Sequence, residues 1–240
     1  MSIASNRERV MERIAAAAQR AGREPDAIRL VAVVKNRSLE EIRELHAAGQ
    51  RLMAFNRVQE AQQKIPGLPA DIEWHMIGHI QTNKAKLVSR LFSMAHSVDS
   101  VRVAAALARA HETAPAAGRP YDILLEVNIS GEESKQGRAP GGAEAALRDI
   151  LLFPALRVRG LMTMAPFVEN PEQTRPIFRG LRELRDRLRE SLLAAPPDGF
   201  DPACALLDHL SMGMTNDFEV AVEEGATLVR VGTALFESGT

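Results

Sequence analysis

The 240-residue sequence has one cysteine, Cys204, and therefore cannot form an internal disulfide. A lone cysteine favours a reducing compartment, and the alanines and leucines around it predict a buried, unreactive thiol. No apolar run approaches the ~18 residues that cross a bilayer, and no apolar signal-peptide core precedes a cleavage site. We therefore expect a cytoplasmic protein without a membrane partner.

A surplus of charge of one sign is also missing. The chain carries 30 Lys and Arg residues against 31 Asp and Glu residues, a formal net charge of −1. A nucleic-acid partner would need a concentrated basic face, so we expect none. The length allows a core that needs no disulfide or metal, and no change of composition marks a boundary. We therefore expect one domain over residues 1–240.

Short apolar runs alternate with amphipathic stretches along the chain. Runs without polar alternation are typical of strands buried on both faces. They lie at 30–34, 52–55, 74–77, 92–97, 123–127, 158–162, 206–210 and 228–231. Predicted helices lie at 3–21, 58–64, 81–90, 101–113, 142–152, 174–193 and 216–224, and another begins at Ser38 with Glu41 in the capping-box position.

Eight strands that alternate with helices predict a closed (β/α)₈ TIM barrel, here with an extra N-terminal helix. An open doubly wound sheet is the alternative. It is disfavoured because no glycine-rich dinucleotide fingerprint follows the first strand.

The residues that end the predicted strands are the candidates for function, because active sites of such barrels lie at the C-terminal ends of the strands. They are Lys35, Asn56, His79, Asn128, Thr163, Ser211, Gly232 and Thr233. Lys35 follows five apolar residues, where burial would favour a neutral, nucleophilic amine. A rim lysine that reaches into solvent is the alternative interpretation.

The last two strands predict an anion site. Arg230 interrupts an apolar strand, and a buried arginine needs an anionic or hydrogen-bond-accepting partner. Hydroxyl groups and glycines follow these strands, at Ser211, Thr215, Gly232 and Thr233. Each loop alone is equally well a turn with a helix cap. Together, after the strands that often bind phosphate in barrels and with Lys35 after the first strand, they predict a ligand that carries an aldehyde and a phosphate.

Two histidines, His75 and His79, lie four residues apart on and after the third strand. Such residues reach different depths of a barrel, and no third ligand accompanies them. We expect structural or ligand-lining histidines and no metal site.

Long motifs in this sequence resemble the pyridoxal phosphate homeostasis proteins. They are VAVVK at 31–35, NRVQE at 56–60, WHMIGHIQTNK at 74–84, HSVDS at 96–100, VNISGEESK at 127–135, GLMTM at 160–164 and the two C-terminal loops. The resemblance implies a barrel of the alanine racemase N-terminal-domain type that holds pyridoxal 5′-phosphate (PLP) as a Schiff base on Lys35. It further implies that Arg230 faces the ring nitrogen and Asn56 lies beside the ring. The residues implied for the phosphate are Ser211, Thr215, Gly232 and Thr233.

The chain departs from the family pattern at two places. Members usually carry Gly-Glu-Asn where this chain has Ala54, Phe55 and Asn56, and a threonine where it has Asn36. We expect the aromatic ring of Phe55 to reshape the floor of the pocket. Neither change removes a Schiff-base or phosphate residue, so we expect PLP to bind.

The resemblance implies a role in PLP and vitamin B6 homeostasis without an established catalytic activity. An arginine at the ring nitrogen weakens the electron sink that PLP enzymes use. A racemase also needs a second base on the opposite face of the ring, which related racemases supply as a tyrosine. The one tyrosine of this chain, Tyr121, lies far from the expected site, so this second base is missing. A weak amino-acid racemase and a PLP-free aldolase that forms a Schiff base are the alternatives. We expect a monomer or weak dimer, with PLP-dependent apoenzymes as candidate clients.

Overall fold

Eight parallel strands form a closed barrel in the order of the sequence. The structure is a computed structural model that describes residues 2–113, 118–132, 136–197 and 202–237. The strands are β1 (Arg29–Val33), β2 (Leu52–Phe55), β3 (Glu73–Met76), β4 (Met94–Val98), β5 (Tyr121–Glu126), β6 (Leu156–Met162), β7 (Ala205–Ser211) and β8 (Leu228–Val231). The predicted (β/α)₈ barrel is confirmed. Residues 133–135, which end the predicted 127–135 motif, lie outside the described ranges.

Helices connect the strands and surround the barrel. Within the described ranges they are α1 (Ile3–Arg20), α2 (Leu39–Ala47), α3 (Val58–Lys64), α4 (Ala85–Leu91), α5 (Val101–Glu112), α6 (Ala143–Ile150), α7 (Arg175–Ala194), α8 (Phe218–Glu223) and α9 (Thr233–Phe236). The predicted extra helix is α1, which packs on α8 and α9. None of these helices has the length and apolarity needed to cross a membrane.

Local sequence signals account for the start and end of α2. The hydroxyl of Ser38 accepts from the N–H of Glu41, and the carboxylate of Glu41 accepts from the N–H of Ser38. Gly49 follows the helix with φ +92°, a conformation that glycine adopts without strain. The predicted capping box is therefore confirmed.

Three local predictions need correction. The predicted helix at 81–90 begins as a 3₁₀ turn, Thr82–Lys84, and becomes α-helical only at Ala85. The four-residue helix α9 was not predicted, because one turn is too short to show a helical period. Cys204 is half-buried and not fully buried, since it lies in the 3₁₀ turn that leads into β7.

The lower part of the barrel, at the N-terminal ends of its strands, is held by ion pairs. Arg157 donates to both carboxylate oxygens of Asp122 at 2.5 and 2.8 Å. Arg159 bridges Asp122 and Asp208, with N–O distances of 3.0 and 2.7 Å. The two arginines alternate along β6 with residues of the outer core such as Val158, so they point to the inner side. Charged groups thus fill this end of the barrel.

Candidate functional site

The C-terminal ends of the strands enclose a cavity of about 600 Å³. Six of the seven predicted site residues line it: Lys35, Asn56, Thr215, Arg230, Gly232 and Thr233. Apolar side chains, among them Ile77 and Met164, form much of the remaining wall. Phe167, 85% exposed, also lines the cavity. The residues predicted from the sequence at the C-terminal ends of four strands, β1, β2, β7 and β8, therefore meet at one site.

Lys35 follows β1 and lies in a tight turn. The N–H of Arg37 donates to the carbonyl of Val34 at 3.2 Å, which closes the turn. Asn36 adopts φ 59°, and its N–H donates to the carboxylate of Glu60 at 2.8 Å. Asparagine tolerates this left-handed conformation better than a β-branched residue does, so Asn36 suits the turn. The side chain of Lys35 is exposed, so its expected burial is not found.

Asn56 brings an unsatisfied polar atom to the cavity. Its Oδ1 atom is buried and has no hydrogen-bond partner within the described part of the chain. Buried polar atoms almost always have a partner, and an orphaned one at a cavity is matched by a ligand or water. The backbone approaches closely here, since a Cβ atom added to Gly78 would lie 2.0 Å from the carbonyl oxygen of Asn56.

The loops after β7 and β8 form the side of the cavity predicted to bind phosphate. Gly213 has φ +90°, and the N–H of Met214 donates to the carboxylate of Asp217 at 2.6 Å, which orders the loop that presents Thr215. After β8, Gly232 precedes α9, which starts at Thr233. The first N–H groups of a helix have no partner inside it, and barrels often bind phosphate at these two loops.

Arg230 is buried at the base of the cavity. Its guanidinium donates to the hydroxyl of Ser211 at 2.5 Å and to the carbonyl of Thr163 at 2.9 Å. Burial lowers its pKa to about 10, and the carboxylates of Glu126 and Asp217 act in the opposite direction. The group therefore stays charged at neutral pH.

Ser211 is the predicted site residue that does not line the cavity. It is fully buried beneath Arg230, and its hydroxyl is shared between Arg230 and His96. Its role at a phosphate stays a prediction, and the hydroxyl has partners inside the barrel instead.

Glu126, at the end of β5, is a site residue that sequence reasoning missed. It lines the cavity while only 2% exposed. Burial raises the pKa of its carboxyl to about 7; nearby Asp99 raises it further and Arg230 lowers it. The signal was a charged residue within an apolar run, the same signal that identified Arg230.

The remaining strand-end residues divide between the cavity and its surroundings. His79 lines the cavity, with Nδ1 3.5 Å from a carboxylate oxygen of Asp99. Asn128 lies away from it, in a loop where its Nδ2 donates to the carbonyl of Glu132. The hydroxyl of Thr163 donates to the carbonyl of Val127. Sequence position alone therefore did not separate ligand-facing residues from loop and core residues.

His75 and His79 do not form a pair. His75 is fully buried inside the barrel, whereas His79 is partly exposed at the cavity. No group of three or more His, Cys, Asp or Glu side chains in the described ranges is arranged to bind a metal ion.

The expectation that Phe55 reshapes the pocket floor is wrong. Phe55 is fully buried in the core between the strands and the helices, where its ring stacks on Trp74 at 5.1 Å. Ala54 belongs to the apolar cluster inside the barrel, and neither residue lines the cavity. Adjacent strand residues point to opposite faces, so only a residue on the inner face and near the rim reaches the cavity.

The fold and the site define a class of barrel. The family profile of the alanine racemase N-terminal domain matches residues 5–238, which covers nearly the whole chain. Similar proteins narrow the class. The pyridoxal phosphate homeostasis protein of Aquifex aeolicus is 42% identical over 237 residues, 98% of each chain.

Two solved structures are similar over nearly their full length. An unknown protein from Bifidobacterium adolescentis has a TM-score of 0.86 at 38% identity and covers 98% of this chain and 94% of its own. PipY of Synechococcus elongatus, solved with PLP bound, has a TM-score of 0.76 at 35% identity. The match covers 95% of this chain and 100% of PipY. The chain belongs to the family of pyridoxal phosphate homeostasis proteins.

Proposed function

We propose that this protein binds PLP as a Schiff base on Lys35 and acts in the cytoplasm as a PLP carrier in vitamin B6 homeostasis. The observation that carries the proposal is the single cavity that joins Lys35 from the first strand, Arg230 from the last and the hydroxyl-bearing loops beside it. The amine of Lys35 matches the aldehyde of this cofactor, and the guanidinium of Arg230 matches its ring nitrogen. The two loops after β7 and β8 match its phosphate.

The described residues fit the cofactor. The side chain of Lys35 is exposed and lines the cavity, where its amine could meet an aldehyde. The orphaned Oδ1 of Asn56 offers an acceptor to a polar group of the ring. Thr215, Gly232 and Thr233 would hold the phosphate. The size of the cavity, about 600 Å³, also lies within the usual range for cofactor sites.

Arg230 supports a carrier more than an enzyme. Bound PLP stabilises negative charge on an attached carbon best when an acidic group keeps its ring nitrogen protonated. A guanidinium has only N–H donors, so a ring nitrogen beside Arg230 would accept a hydrogen bond and stay unprotonated. This arrangement favours retention of the cofactor over carbanion chemistry.

One observation favours the alternative of a weak racemase. Glu126 lines the same cavity with a pKa of about 7, so it can gain and lose a proton near neutral pH. The two functions are separated by loss of α-deuterium from labelled amino acids. We expect no loss above that caused by free PLP. If loss occurs and Glu126→Gln abolishes it, the protein is a racemase-like enzyme.

The cofactor assignment is tested by absorbance after incubation with PLP and desalting. We expect a band near ~420 nm in the wild type and none in Lys35→Ala, since a Schiff base of PLP absorbs there. Lys86→Ala, which removes an exposed lysine from α4, is the matched control and should keep the band. Borohydride reduction followed by peptide mapping should place the cofactor on Lys35. A wild type without a band would refute PLP binding and leave the PLP-free aldolase.

A carrier must also release its cargo. We expect PLP-dependent apoenzymes to regain activity faster with the loaded protein than the loaded protein releases PLP into buffer alone. Light scattering should report a monomer or weak dimer. Transfer no faster than spontaneous release into buffer would contradict direct delivery.

A further inference from the structure

A row of hydrogen-bonded side chains crosses the interior of the barrel. At the cavity end, Arg230 donates to Ser211 Oγ at 2.5 Å. Ser211 Oγ lies 2.9 Å from His96 Nδ1, and His96 Nε2 lies 2.8 Å from His75 Nδ1. His75 Nε2 lies 2.9 Å from a carboxylate oxygen of Glu73, at the start of β3. Four contacts thus join the floor of the cavity to the opposite end of the barrel.

The donors and acceptors allow only one direction of hydrogen-bond donation along this row, from Arg230 towards Glu73. A guanidinium can only donate, so Ser211 Oγ accepts from Arg230. Ser211 is fully buried, and its hydroxyl proton is satisfied by donation to Nδ1 of His96. His96 then carries its proton on Nε2 and donates to Nδ1 of His75. His75 in turn carries its proton on Nε2 and donates to Glu73.

The electrostatics agree with this direction. Burial lowers the pKa of His75 and places that of His96 well below its ordinary value, so both rings are neutral at pH 7. The hydrogen bond from His75 and the ion pair with Arg29 lower the pKa of Glu73 to about 2, so it is ionised. A cation at one end and an anion at the other are joined by neutral, aligned dipoles.

We propose that His96, His75 and Glu73 are positioning residues, which hold Ser211 as the acceptor for Arg230 and so fix the guanidinium at the cavity. Two of the five guanidinium N–H groups are used by Ser211 and Thr163, which leaves the others for a ligand. The importance of His96, His75 and Glu73 for PLP binding rests on the proposed function. The direction of hydrogen-bond donation and the contact that holds Arg230 do not depend on it.

The direction is tested on the protein without ligand by ¹⁵N NMR of the histidine rings. We expect His75 and His96 to be neutral at pH 7, each with its proton on Nε2. A scalar coupling across the hydrogen bond should join Nε2 of His96 to Nδ1 of His75. A proton on Nδ1 of either ring, or a cationic ring, would overturn the proposed direction.

The hold on Arg230 is tested by the rotation of its guanidinium, seen in the ¹⁵Nη resonances. We expect separate resonances in the wild type and averaged ones in His96→Leu, where Ser211 loses its acceptor. His96→Asn retains an acceptor oxygen near the position of Nδ1 and should restore the separate resonances. His111→Leu removes a buried histidine outside the row and is the control for lost packing.

The consequence for the ligand is measured as the Kd for PLP. We expect His96→Leu to weaken binding roughly ten-fold, the usual effect of removing one partner of a buried hydrogen bond, with His96→Asn and His111→Leu near the wild type. A folded His96→Leu with the Arg230 resonances and the Kd of the wild type would overturn the proposal. If the wild type binds no PLP, the proposed function fails, and the NMR measurements still decide the role of the row.

Discussion

The buried carboxyl of Glu126 makes stability depend on pH in a way that one substitution can reveal. Glu126→Gln replaces the carboxyl by a neutral amide of nearly the same shape. In the folded protein burial raises the pKa of Glu126 from 4.5 to about 7. A shift of one pKa unit corresponds to about 1.4 kcal/mol, so the ionised carboxylate costs the folded state about 3 kcal/mol at most.

The sign follows from the direction of this change in pKa. The folded state binds the proton more tightly than the unfolded chain does, so the carboxyl costs nothing below pH 4.5, where both states are protonated. The cost grows between pH 4.5 and about 7 as only the unfolded chain ionises, and it is constant at higher pH. Glu126→Gln should therefore increase the free energy of unfolding at pH 8.5 relative to pH 4.5 by up to about 3 kcal/mol.

Urea unfolding at both pH values, followed by the fluorescence of the single tryptophan, Trp74, measures this effect. Taking the difference between wild type and variant cancels the other ionisable groups. Glu12→Gln, the same change at an exposed position of α1, is the control. If the difference between Glu126→Gln and the wild type is the same at both pH values, the carboxyl is not held in its neutral form and the reasoning is wrong.

Two further predictions concern packing and backbone. Gly160→Ala should lower the free energy of unfolding, measured in urea, by about 3 kcal/mol or more. Gly160 has φ +156°, and the added Cβ would lie 1.8 Å from the carbonyl oxygen of His209. Gly141→Ala, with open space around the new Cβ, should change the free energy of unfolding little. Equal losses of stability in the two variants would contradict the steric clash at Gly160. Phe55→Ala should cost about 3 to 5 kcal/mol but leave the Kd for PLP unchanged, since the ring packs away from the cavity. A weaker Kd at unchanged stability would contradict that placement.

The barrel and most of its site could be predicted from the sequence for a physical reason. Strands buried on both faces appear as short apolar runs, and their alternation with helices leaves few possible topologies. Parallel strands end at the same face, so residues far apart in sequence, such as Lys35 and Arg230, were predicted to meet there, and both line the cavity. The capping box at Ser38 is an equally local signal and was found where expected.

Other features depend on the direction in which each side chain points and on the partner it meets. Phe55 was assigned to the pocket although it faces the outer core. Glu126 was overlooked although it faces the cavity. The bond between His96 and Ser211 joins residues 115 positions apart, and it exists because β4 and β7 face each other across the barrel.

The sequence by itself determined the order of strands and helices and the face on which the polar strand ends collect, because both follow from local patterns of apolar and turn residues. The tertiary structure alone decided which of those residues reach the cavity and which are held beneath it. Closing the barrel sets the inward or outward direction of every strand residue through the strand register and its shifts, as between Val158 and Gly160 in β6.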